Sequence, residues 1–359
     1  MTIVPVDLLG RRVARLQEAM TEAGIETLLV TELPSVRWLT GFSGSAGRAL
    51  VRSTGPAVLV TDDRYTLRAK AEAPAAELVI DRTWGWLGDV GVDGSLAVQA
   101  DVLPWAVVHE LTDLLEDVEL VPTSGLLAEV RAVKDDHEIA ALRRACTITV
   151  EAFEAALGWI APGLTEREIA RRLLDDMTAR GAEASAFDPI VAAGPNGAVP
   201  HHSPSDRPVG RGELLTMDFG ARVDGYHADM TRTVAVGAVG SELTDLYDLV
   251  RRAQQAGVEA VRDGIEAKAL DAVCRGVIAE AGHGADFRHG TGHGVGLMIH
   301  EEPFLGIQST GTLRDRMAIT VEPGVYVPGL GGVRIEDVVL VGHTDGERLT
   351  TASHDLIVL

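Results

Sequence analysis

Residues 214–236 read LLTMDFGARVDGYHADMTRTVAV. Two apolar runs flank Asp224-Gly225, and Asp-Gly between such runs is a strong signal for a two-residue hairpin turn. The segment therefore predicts strand, turn, strand. Each strand nevertheless carries an acid where an apolar side chain belongs, Asp218 in LLTMDFG and Asp229 in YHADMTRT. Flanking one turn, the two are expected roughly opposite each other, with Cβ atoms about 4.5–5.5 Å apart. Buried anions at that spacing repel unless they are protonated or bridged by a cation. The pattern recurs further on. AITVEPGVYV (318–327) and VRIEDVVL (333–340) read as adjoining strands joined by the glycine-rich PGLGG, with Glu322 and Glu336 in apolar settings. One such acid could be a solvated strand end, since Asp and Glu are seldom buried without a partner. Four in two hairpins are harder to dismiss.

Working outward, Lys134 onward holds two amphipathic helices ahead of the first hairpin, the second opened by a Thr165/Glu168 capping box and ended at Gly181. Two more helices, over about 241–262 and 266–281, precede the second hairpin. Each half thus holds helices and an acid-bearing hairpin, a weak internal echo. Helices on an antiparallel sheet make this an α+β domain. The first third differs. A helical pattern over Arg11–Ala23 is followed by the short strands ETLLVTE, RALVRS and AVLVTD, a helix from Tyr65 to Glu72, strands ELVI and SLAVQAD, and a helix from Pro104 to Leu115. That alternation predicts an α/β domain over residues 1–128, with the α+β domain over 129–359.

The chain has 359 residues and a net charge of −21. Such an excess of acid argues against nucleic acid and against anionic membrane surfaces. Two cysteines, neither in a CxxC, suit a reducing compartment, no apolar run reaches membrane length, and the opening MTIVPVDLLGRRVARL leads us to expect no signal peptide. A cytoplasmic location is expected.

Between the hairpins, residues 289–303 read HGTGHGVGLMIHEEP. No GxGxxG, GK[ST], HExxH or GxSxG occurs, so phosphate-loop and serine-hydrolase readings lose their support. His293, between glycines, can join the four acids. Four carboxylates and one imidazole are a plausible set for two divalent cations sharing ligands. Two such cations turn a bridging water into hydroxide near neutral pH and polarise the carbonyl it attacks, while further histidines contact the substrate. Oxygen-rich ligation favours Mn²⁺ and leaves Co²⁺ or Zn²⁺ open.

The order Asp218, Asp229, His293, Glu322, Glu336, in MDFGA, ADMTRT, GTGHGVG, VEPGVY and RIEDVV, resembles the metallopeptidases of the methionine aminopeptidase, aminopeptidase P and prolidase superfamily. WLTGFSGSAG and LVTDDRY resemble the N-terminal domain of aminopeptidase P, prolidase and creatinase. The resemblance implies a pita-bread catalytic domain. It makes Asp218 a ligand of one metal and Asp229 and Glu336 bridges to both. His293 and Glu322 complete the other site, Glu322 also handling the proton of the bridging water. It further implies that His201 and His300 contact the substrate, that His289 supports the site, and that Arg334 binds substrate or salt-bridges a ligand carboxylate. The implied activity is removal of the residue before proline from peptides with proline at the second position, an Xaa-Pro aminopeptidase, by a homodimer. An Xaa-Pro dipeptidase is the alternative, and a non-catalytic binding module the alternative of another class.

Overall fold

In the computed structural model, which describes residues 3–359, the apolar runs of the first third pair into one six-stranded sheet. The elements run α1 (Val6–Glu22), β1 (Thr27–Val30), α2 (Leu33–Thr40), β2 (Arg48–Arg52), β3 (Val58–Thr61), α3 (Thr66–Glu72), β4 (Glu77–Ile80), α4 (Trp86–Asp89), β5 (Ser95–Gln99), α5 (Trp105–Leu114), β6 (Glu119–Thr123) and α6 (Leu126–Ala132). Strand order is β4-β3-β2-β1-β5-β6, antiparallel at β1–β2–β3 and parallel at both margins. A core of Leu29, Leu50, Val60, Trp86, Leu96 and Leu111 fills one face. α1 starts at Val6 rather than Arg11, because Pro5 sets the entry and Asp7 favours the first turn. The sequence reading also passed over α2, whose proline near the start and Gly41 at φ 83° after the end are helix signals.

The chain divides into two units at Arg131/Ala132. The second continues with α7 (Asp136–Ala156), α8 (Glu166–Ala179), β7 (Ala184–Ser185), β8 (Ile190–Ala193), β9 (Glu213–Phe219), β10 (Ala221–Val223), β11 (Tyr226–His227) and β12 (Met230–Val236). Then come α9 (Ser241–Ala260), α10 (Ala267–Glu280), β13 (Gly292–Gly294), β14 (Glu301–Leu305), β15 (Ala318–Val321), β16 (Gly324–Val327), β17 (Gly331–Arg334), β18 (Asp337–Val341) and β19 (Gly346–Arg348). The Thr165/Glu168 capping box forms as expected.

Two cores organise this unit. Phe153, Ile169, Leu173 and Met177 of α7 and α8 pack on Leu215, Met217, Phe219 and Val234 of the first hairpin. Leu246, Val250, Leu270 and Ile278 of α9 and α10 pack on Ile319, Val321 and Val339 of the second. Strand side chains alternate in direction, so the odd-numbered Leu215, Met217 and Phe219 leave Thr216 and Asp218 on the opposite face. That face is also buried, and β9 and β12 are enclosed along nearly their whole length. The internal echo read from the sequence is therefore structural: two helix pairs, two cores, two hairpins. Among the described residues no helix is long and apolar enough to cross a membrane.

Candidate active site

Both acid pairs sit where a hairpin is interrupted. In the first, β9 and β12 pair up to Phe219↔Met230, and β10 and β11 resume at Arg222↔His227. The register is continuous across the gap, so Asp218 faces Thr231, and Asp229 falls opposite Gly220. The rough opposition expected of the two acids resolves into a diagonal pair on one face. Gly220 makes the interruption possible, because a Cβ there would lie 1.8 Å from the Ala228 carbonyl oxygen. In the second hairpin, Val321↔Asp337 and Gly324↔Arg334 bracket a gap in which Glu322 falls opposite Glu336.

His293 lies in β13. Its Nδ1 meets the Gly294 carbonyl oxygen at 3.0 Å, so Nδ1 carries the hydrogen and Nε2 keeps its lone pair. Nε2 stands 3.3 Å from Glu322 Oε1 and 3.6 Å from Asp229 Oδ2. Burial lowers the His293 pKa, which keeps the ring neutral. The glycines around it allow close backbone approach. A Cβ at Gly290, Gly292 or Gly294 would lie 2.4, 2.1 or 2.3 Å from the carbonyl oxygens of Leu305, Thr320 and Glu302, so they let neighbouring backbone close in.

Arg334 is buried, and all three of its nitrogens are engaged. Nε donates to Thr231 Oγ1 (3.0 Å), one terminal nitrogen to Tyr326 Oη (2.8 Å) and the Pro200 carbonyl (3.3 Å), and the other to Asp218 Oδ2 (2.6 Å). The contact with Asp218 is a buried salt bridge to a carboxylate. Thr231 passes the chain on by donating to Glu336 Oε2 at 2.6 Å. His289 accepts at Nε2 from Tyr326 Oη (2.8 Å), since its Nδ1 hydrogen goes to the Gly290 carbonyl (2.7 Å). Burial lowers its pKa also. His300 packs edge-on against His293, with ring centroids 4.4 Å apart, and burial lowers its pKa too. The turn before it is held by Glu301, which accepts from Met298 N–H and from the buried Lys134 at 2.8 Å.

All nine residues singled out in the sequence, His201, Asp218, Asp229, His289, His293, His300, Glu322, Arg334 and Glu336, line one cavity of about 700 Å³. Burial is the main force raising the carboxyl pKa values of Asp229, Glu336 and Glu322, and neighbouring carboxylates raise each further. Asp218 Oδ1 is buried with no hydrogen-bond partner. One ligand atom each from Asp229, His293 and Glu336 falls within 4.8 Å of the others. An orphaned carboxylate oxygen, a free imidazole lone pair and mutually repelling buried acids form a donor set that fits a divalent cation. Neither cysteine competes as a nucleophile: both are buried, and burial pushes the Cys274 thiol up to about 12.

Residues 140–343 match the model of metallopeptidase family M24, and residues 12–133 that of the Creatinase/Prolidase N-terminal domain. The chain belongs to metallopeptidase family M24. Its fold is a creatinase-type N-terminal domain followed in sequence by that family's pita-bread catalytic domain. The structure of an Xaa-Pro dipeptidase from Bacillus anthracis superposes with a TM-score of 0.93 at 38% identity, covering 98% of this chain and 100% of that one. An Xaa-Pro dipeptidase of Pyrococcus horikoshii is 35% identical over 98% of this chain and 100% of its own length. An X-Pro aminopeptidase from Thermotoga maritima superposes with a TM-score of 0.89 at 32% identity, covering 97% and 99%.

Sequence reasoning missed several residues that hold the M24 site. Thr231 and Tyr326 join the arginine to the acids and to His289. Asp271 accepts from Thr291 N–H and Oγ at 3.0 Å, while Arg275 clamps Asp271 and donates to the His289 carbonyl, so one turn of α10 fixes the loop into β13. Asp271 at a buried position of an amphipathic helix was the available signal.

Proposed function

We propose that this M24 hydrolase cleaves the Xaa-Pro peptide bond, with Xaa-Pro dipeptides as its substrates. The observation that carries the reading is the convergence of the nine residues singled out above, four carboxylates, four histidines and one arginine, on a single cavity. Two of the three relatives named above, both Xaa-Pro dipeptidases, support dipeptides over the longer peptides that the sequence alone favoured. Asp218, Asp229, His293, Glu322 and Glu336 would hold two divalent ions, Mn²⁺ before Co²⁺ or Zn²⁺, whose contribution is Lewis acidity and a lowered pKa for water.

The chain's own groups do the rest. Glu322 Oε1 accepts from Thr320 Oγ1 at 3.1 Å, which leaves Oε2 to take the proton of the attacking water. Glu322 would then return that proton to the leaving nitrogen as a general acid. That return is needed because a prolyl nitrogen departs as a secondary amine. His300 and His201 stand on the cavity wall within reach of a bound peptide. Ile299, Phe304 and Leu305 give the same wall an apolar stretch for the pyrrolidine ring. Arg334 holds Asp218 and, through Thr231, Glu336. We propose that the enzyme is a homodimer.

One observation favours the aminopeptidase reading instead. Among the described residues lining the cavity, Arg334 is the only arginine or lysine, and it is spent on internal bonds. A dipeptide's terminal carboxylate would have to be met by histidine. Hydrolysis of Gly-Pro and of a Gly-Pro-Xaa tripeptide, after chelation and stepwise return of Mn²⁺, Co²⁺ or Zn²⁺, separates the readings. Turnover of Gly-Pro alone supports the dipeptidase, and turnover of the tripeptide supports the aminopeptidase. No turnover of either with any metal would leave a binding module.

A further inference from the structure

Glu166 is the first residue of α8, yet its side chain is fully buried and turned away from capping the helix. The cap is already complete through Thr165 and Glu168. The Glu166 carboxylate reaches instead into the 193–205 segment and accepts five hydrogen bonds. Oε1 takes Ala193 N–H (2.8 Å) and Asn196 Nδ2 (2.9 Å). Oε2 takes His202 Nε2 (2.8 Å), Ser205 N–H (3.0 Å) and Ser205 Oγ (2.6 Å). A buried acid without a cationic Lys or Arg partner is costly unless every lone pair is used, and here all the bonds go to one segment.

That segment forms a wall of the cavity: Pro200, His201, His202, Ser203 and Pro204 all line it. Arg334 holds the Pro200 carbonyl at one end. Glu166 holds His202 and Ser205 at the other. We infer that Glu166 is a positioning residue for the substrate-facing wall 200–204, acting through His202 and Ser205 to set where His201 stands. A carboxylate only accepts, so His202 must present Nε2–H to it, and the ring tautomer is fixed with Nδ1 left over. Burial opposes the charge on Glu166, but the hydrogen bonds outweigh it and hold the carboxyl below its ordinary range.

The inference rests on this cavity being the peptide site, and the test keeps the two apart. Glu166→Gln places an amide NH₂ against donors whichever way it is turned. Activity on an Xaa-Pro substrate is expected to fall at least about tenfold in kcat/KM with bound metal unchanged, since small misplacements cost that much or more. His202→Gln, which keeps a donor near the Nε2 position, is expected within about threefold of wild type, and His202→Phe to match Glu166→Gln. The double variant Glu166→Gln/His202→Phe should be no worse than either single, because the two act as one unit. A readout independent of turnover is the His202 ring ¹⁵N spectrum, in which the hydrogen-bonded Nε2–H signal should be lost in Glu166→Gln. Multiplying losses, or an unchanged ring signal in a folded Glu166→Gln protein, would overturn the inference. If Glu166→Gln does not fold, a His202→Phe protein of wild-type activity would overturn it equally. A wild type inactive on all Xaa-Pro peptides but with the ring signal coupled to Glu166 would instead indict the proposed function.

Discussion

Asp229 is the residue at which activity and stability are expected to pull apart. In the cation-free protein its carboxyl pKa is raised, by burial first and then by Glu336, Asp218 and Glu322. Asp229→Asn removes that repulsion while keeping the shape. Chelated Asp229→Asn is therefore expected to unfold at higher denaturant than chelated wild type at neutral pH, while Asp229→Ala and Asp229→Asn both lose essentially all peptidase activity. Parallel urea titrations and steady-state rates check this. Thr231 tests the polar chain. Thr231→Val leaves Arg334 Nε and Glu336 Oε2 each short of a buried partner, at about 1–3 kcal/mol, whereas Thr231→Ser keeps both bonds. At this scale, legibility followed chemistry. An acid in an apolar strand announces itself, and so did Asp218, Asp229, Glu322 and Glu336. Thr231, Tyr326 and Glu166 are residues that strands and helix starts accept for ordinary reasons, and only the fold brings them against the side chains that line the cavity.

For the elements, the sequence carried the hairpins but not their interruptions. Alternation and Asp224-Gly225 were enough to place the strands and the turn, where both residues have positive φ as a primed turn requires. The breaks leave the register unshifted, so the side-chain pattern runs through them unchanged. The available hints were Gly220 and Pro323, the latter lacking the N–H a ladder needs. The two glycines of the first hairpin should respond differently to alanine. Gly225 at φ 84° costs roughly 1 kcal/mol through backbone conformation. Gly220 forces a Cβ into the Ala228 carbonyl and is expected to cost more than about 3 kcal/mol, or to prevent folding, in equilibrium denaturation. Helix boundaries moved where a neighbouring residue outweighed periodicity, as Pro5 does at α1.

Over the whole molecule, each of the two units has its own hydrophobic core, and only the second contains the acid cluster. Asp229, Glu322 and Glu336 have raised pKa values in the folded, cation-free state. The folded protein thus binds more protons than the unfolded one above the ordinary carboxylate range near about 4. The stability contributed by the protonated acids is present below that range and is lost as pH rises through the raised values. A bound cation reverses the sign by favouring the ionised forms. Calorimetry is expected to show one transition that drops on chelation, more at neutral pH than near pH 5, and another that chelation leaves in place. Failure of either transition to behave so would contradict the placement of the metal site.

The half made of α7, α8 and the first hairpin and the half made of α9, α10 and the second hairpin divide the acid cluster between them. Asp218 and Asp229 come from one half, and His293, Glu322 and Glu336 from the other. Severed in the 237–240 link and produced as separate polypeptides, the halves become a two-component assembly glued by an ion. Their reassociation should tighten with Mn²⁺ and loosen with a chelator, which makes the fold a cation-gated fragment-complementation pair.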